Sequence, residues 1–124
     1  MVDGNNVIGS VPDGWWRDRP GAVRRLLARL QCHGRQTDDR LILVLDVPQA
    51  DLPEGSHDGV EVRYATRKGR DAADDRIIAL LDEGTLQNPE VITSDRALST
   101  QAHHRAATVT GAATFLTRLA TTDC

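Results

Sequence analysis

The chain has 124 residues, 40% hydrophobic and 27% charged, which suits a single soluble globular domain and excludes a disordered chain. A formal net charge of −3 and a pI of about 5.7 exclude a uniformly basic nucleic-acid binder, while leaving room for a local basic rim. Aromatics make up only 3%, so the core must be aliphatic, and an aromatic stacking platform for single-stranded nucleic acid is not expected.

The opening stretch, MVDGNNVIGS, reads as the tail of a strand, Met1 to Asp3, that presents a carboxylate and an amide at its tip. Gly4 and the asparagines Asn5 and Asn6 suit an abrupt turn there. Asp3 is the first candidate metal ligand, Asn6 its support, and Asn5 a residue of backbone geometry only. Central strands usually run to about five residues, so either this strand is short or the natural N-terminus is longer. Val11 to Asp18 (VPDGWWRD) is a loop, with Trp15 and Trp16 expected to anchor it on the body of the domain.

Arg19 to Gln31 is an amphipathic helix with Asp18 as its cap, Pro20 in its first turn and Gly34 as its expected stop. Leu41 to Leu45 (LILVL) reads as a strand buried on both faces of a parallel sheet. Residues 49–59 are loop, and Gly59 to Ala65 alternates as a strand nearer an edge. Thr66 to Arg70 is a basic loop, and Asp71 to Asp82 a helix stopped by Gly84. Val91 to Thr93 is a short strand, Ser94 and Asp95 open a helix through about His103, Ala106 to Val109 is a last strand, and Gly111 to Leu119 a final helix. This alternation predicts an α/β fold with a mainly parallel sheet and helices on both faces.

Ligands of such sheets bind at the carboxyl ends of the strands. Asp3, Asp46 and Asp95 follow strands, and Asp74 and Asp75 lie in the first turns of a helix. Asp71, Asp74 and Asp75 project at different angles, so not all three can point inward. Carboxylates gathered at one rim repel one another and need a cation. Oxygen donors without His or Cys select hard ions, Mg²⁺ or Mn²⁺, and the chemistry that uses them is phosphodiester hydrolysis. Arg67, Lys68 and Arg70 in the basic loop, with Arg96 beside Asp95, are the candidate RNA-phosphate contacts. His33, His57, His103 and His104 show no metal spacing and read as surface or structural. Cys32 and Cys124 suggest neither zinc nor a disulfide framework, and Cys32 reads as a small core residue. No signal peptide or membrane-spanning run is visible, so the expected compartment is the cytoplasm.

These motifs carry a family resemblance. VDGNNVIGS resembles the VDGxNVI opening of NYN domains, which belong to the PIN-like nuclease superfamily. AADDRI (Ala72 to Ile77) and TSDRALS (Thr93 to Ser99) resemble that family's second and third acidic motifs, in the same order and spacing. The TSD triplet, and Gly111 followed by Phe115-Leu116, are most similar to the YacP-like branch. The resemblance implies a three-layer α/β/α PIN-like domain over residues 1–124 and a Mg²⁺- or Mn²⁺-dependent endoribonuclease. Its catalytic residues would be Asp3, Asn6, Asp74 and Asp95, with Asp46 and Asp75 as further metal ligands. Ala97 stands where other NYN branches carry a second acid. The competing expectation is an RNA- or ribosome-associated binding module with weak or no catalysis, and whether the chain is a monomer or a homodimer stays open. A haloacid-dehalogenase-type phosphatase is disfavoured because Asn5 stands where a second Asp would be needed. A phospho-receiver is disfavoured because Lys68, the sole lysine, precedes the late strands.

Overall fold

A computed structural model describes residues 1–69 and 71–122. Among these, β1 (Val2–Asp3), β2 (Leu41–Leu45), β3 (Gly55–His57), β4 (Val60–Tyr64), β5 (Glu90–Ile92) and β6 (Thr108–Thr110) form a six-stranded sheet in the order β3-β4-β2-β1-β5-β6. Neighbouring strands are parallel except β3, which runs antiparallel to β4 along the edge.

The LILVL run shows why both faces of the sheet are covered. Leu41, Leu43 and Leu45 join one core with α1 (Gly4–Gly9), α2 (Arg19–Gln36) and α5 (Ala112–Ala120). Ile42 and Val44 join a second core with α3 (Ala72–Asp82) and α4 (Arg96–His104). A strand with period-two side chains and a helix layer on each face must be apolar at every position. The result is the three-layer α/β/α architecture.

β1 lies at the centre, paired with β2 at Val2↔Leu43 and Asp3↔Val44 and with β5 at Val2↔Ile92. The chain builds outward from β1 through β2 to one edge, then crosses back to β5 and β6 on the other side. That reversal puts the topological switch point, where such sheets bind their ligands, between β1 and β5.

Several local expectations change. Residues 4–9 are a helix, α1, too short to show a clear period in sequence. Gly4 serves close packing there rather than an unusual backbone angle: a Cβ on it would stand 2.7 Å from Leu45 Cδ2 and 2.9 Å from Leu43 Cδ1. α2 continues through Gly34 to Gln36, because the Gly34 site packs against Leu41 and leaves room for little more than a hydrogen. Residues 55–57 leave the expected loop to pair with β4, and the last strand begins at Thr108 rather than Ala106. Cys32 is buried but disulfide-bonded rather than a free thiol, which corrects the reading of a plain core cysteine. Cys124 lies outside the described residues.

Trp15 and Trp16 part company. Trp15 packs against the first core, whereas Trp16 is 59% exposed and does not anchor the loop. Gly4→Ala should lower unfolding free energy by about 1–3 kcal/mol through overpacking of α1 against β2. Urea denaturation would show this as a lower midpoint, and an unchanged midpoint would contradict the close-packing role.

Candidate functional site

The carboxyl ends of β1 and β5 are joined by one side chain. Thr93, immediately after β5 and 1% exposed, donates its hydroxyl to Asp3 Oδ2 at 2.8 Å. The same Oγ1 accepts the backbone N–H of Asp95 at 3.1 Å. Asp3 is 4% exposed, and burial holds its carboxyl above the usual carboxylate range, with the charges of Asp95 and Asp46 adding to the shift. The Thr93 hydroxyl and the backbone at Asn6 pull the other way.

Both asparagines of the opening motif act through their side chains. Asn6 Oδ1 accepts the Ser94 N–H at 2.8 Å, so α1 grips the loop after β5. Asn5 Oδ1 accepts the Asp46 N–H at 2.9 Å and fastens the end of β2. Asn5 is therefore more than a residue of backbone geometry. Ser94 completes the connection by accepting the Ala112 N–H on its Oγ at 2.9 Å, which ties in the start of α5.

Asp95 caps α4, accepting the Leu98 N–H on Oδ1 at 2.8 Å. Asp71 precedes α3 in a left-handed conformation, φ 59°, and makes no side-chain cap to its own helix. Its carboxylate stands instead with those of Asp74 and Asp95, one oxygen of each lying within 4.8 Å of the others. Burial and the neighbouring charges of Asp3, Asp95, Asp71 and Asp75 push the Asp74 carboxyl up to about 7. A carboxyl so far above its ordinary value marks a site short of positive charge. The donor set is all oxygen, without His or Cys, and matches a hard divalent cation.

Two of the predicted residues, Asp74 and Asp95, thus come together with Asp71. Asp3 lies behind them, coupled to both by charge and to Asp95 through Thr93. Asp46 sits at the end of the adjacent strand β2 and acts on Asp3 at longer range. Asp75 turns outward to an ion pair with Arg67 Nε at 2.7 Å. That pair orients Arg67 beside the acidic helix, while Lys68 and Arg96 are exposed and Arg70 lies outside the described residues. The expected ligand set left out Asp71 on the ground of its angle, but it precedes α3 in a left-handed conformation and its carboxylate joins those of Asp74 and Asp95. Sequence reasoning passed over Thr93 as well, although the TSD triplet was in plain view.

A parallel sheet with helices on both faces and carboxylates gathered at its switch point defines a nuclease-like domain of the PIN-like class. The chain belongs to the YacP-like NYN domains, whose family model matches residues 1–123. Two crystal structures of Rae1 (YacP) from Bacillus subtilis, one of them a W164L mutant, are similar to it, each at 25% identity and a TM-score of 0.79. The match covers 97% of this chain and 73% or 72% of those chains. No curated protein matches it. Among the described residues no helix is long and apolar enough to cross a membrane.

Two outcomes follow from the rim. Thr93→Val leaves the buried Asp3 oxygen without its donor and should cost about 1–3 kcal/mol of stability, read by urea denaturation. The Asp74 carboxyl titrates near 3.8 when unfolded and about 7 when folded, so the native state binds the extra proton between those values. Stability of the metal-free protein should therefore fall as pH rises through that window and level off above it. Mn²⁺ must displace this proton, so it should raise Tm more at pH 8 than at pH 6, as scanning calorimetry would record. Equal shifts at the two pH values would remove Asp74 from the ligand set.

Proposed function

We propose that this chain is a metal-dependent endoribonuclease that hydrolyses RNA phosphodiester bonds at the β1–β5 rim. The observation that carries the reading is the convergence of Asp71, Asp74 and Asp95 within 4.8 Å, backed by the buried Asp3. Asp74 and Asp95, with Asp71, would hold the ion directly. Asp3 completes the negative field behind them, and Asp46 supports it from β2. Mg²⁺ or Mn²⁺ fits this donor set. When bound, the ion lowers the pKa of a water and stabilises charge on the phosphate oxygens.

The chain's own residues do the rest. Asn6 and Thr93 fix the loop that carries Asp95, so the ligand geometry is set before substrate arrives. Asp75 holds Arg67 beside the rim, and Arg67, Lys68, Arg70 and Arg96 supply positive charge for the RNA backbone. Water oxygen bonds to phosphorus as the bond to the leaving sugar oxygen breaks, and the proton that the water loses is balanced by the proton that the leaving oxygen takes up. We assign RNA as its partner and the cytoplasm as its compartment. The ribosome is a further candidate partner.

Cleavage of a labelled RNA should require Mn²⁺ or Mg²⁺ and stop with EDTA. Asp95→Asn should lower kcat at least about a hundredfold, the scale of losing one preorganised charge contact at a reacting centre. If Asp95→Asn cuts at the wild-type rate, the site is misassigned. If the wild type binds RNA without cutting it or binding metal, the protein is instead an RNA- or ribosome-associated module.

A further inference from the structure

The two large hydrophobic side chains most exposed among the described residues are Trp16 and Val47. Trp16 lies in a 3₁₀ turn, Trp15–Arg17, just before α2. Its ring is held edge-on against Trp15, with centroids 5.9 Å apart and planes at 88°. Trp15 is packed on the core, so Trp16 projects from a fixed base rather than a loose loop. Asp18 fixes the next residue by accepting the Gly21 N–H at 3.1 Å.

Positive charge surrounds these rings. The Arg17 guanidinium lies 5.8 Å from the Trp16 centroid, and that of Arg19 lies 5.5 Å from Trp15. Neither arginine makes an ion pair among the described residues, whereas the nearby acids Asp13 and Asp51 are held by Arg25 and Arg24. Arg19 also lines a cleft of about 340 Å³ whose other walls include Asn5, Asp46, Val47 and Gln49. The cleft therefore lies between the end of β2, at Asp46, and Arg19, whose guanidinium sits over Trp15. Gln49 Oε1 is enclosed there and has no hydrogen-bond partner among the described residues.

We infer that Trp16 is a stacking platform for a nucleobase of single-stranded RNA, with Arg17 and Arg19 on the adjoining phosphates and the cleft leading the strand to the acidic rim. An exposed indole forfeits the burial that would normally retain it, and its flat face accepts any base. A flanking arginine adds charge for the backbone and stacks on the same rings. This inference rests on the RNA reading of the rim and brings the strand in past the end of β2.

The test uses the full chain with short unstructured oligouridylate. Bound in EDTA, the oligonucleotide should quench tryptophan emission in the wild type and far less in Trp16→Phe. Trp16→Ala should weaken binding about fivefold or more, the scale of one lost base stack, while Trp16→Phe stays within about twofold and both keep the wild-type Tm. With Mn²⁺ present, Trp16→Ala should raise KM and leave kcat unchanged. Equal affinity and equal KM in Trp16→Ala, with the wild type still cutting, would overturn the platform and leave the nuclease reading standing. A wild type that neither binds nor cuts RNA would overturn both.

Discussion

A buried carboxylate is tolerated only when it is hydrogen-bonded, and at the centre of this sheet that requirement falls on the Thr93 hydroxyl. It donates to Asp3 and accepts from the backbone of Asp95, so one oxygen registers the ends of two neighbouring strands. If the hydroxyl were lost, Asp3 would be stranded and the turn into α4 would lose its anchor. The two asparagines extend the same scheme, Asn6 to Ser94 and Asn5 to Asp46. Polar side chains of one short motif thus set the spacing of three strand ends.

That scheme explains how like charges can sit so close together. The backbone around them is fixed by uncharged donors and acceptors, so the repulsion cannot relax by moving the strands apart. Burial together with that repulsion raises the Asp74 carboxyl to about 7. The same chain matches the YacP-like NYN family and is similar to Rae1 over 97% of its length.

The layers of the fold were legible because burial on two faces leaves an unmistakable mark, the unbroken LILVL. So were the acids at strand ends, since a short strand followed by Asp has few other readings in a parallel sheet. Elements shorter than about two periods were not legible. α1 covers six residues and β3 three, and at that length neither a helical nor an alternating pattern can declare itself. Asp71 escaped because it stands before the first helical residue, in a left-handed conformation that helix spacing does not describe. Trp16 escaped because a tryptophan is normally worth burying, and its sequence neighbour takes the buried place.

The pairing of β1 with β5 also dictates when the site comes into being. Thr93 and Asp3 are 90 positions apart in the chain, and the strands that present them are adjacent only in the finished sheet. Contacts of such long separation form late and cooperatively. A chain emerging during synthesis has β1, β2, β4 and α3 before it has the fifth strand. At that stage it holds Asp3 and Asp74 but not the Thr93–Asp95 turn that unites them. The cluster of Asp71, Asp74 and Asp95 is therefore complete only once the segment after β5 has joined the sheet.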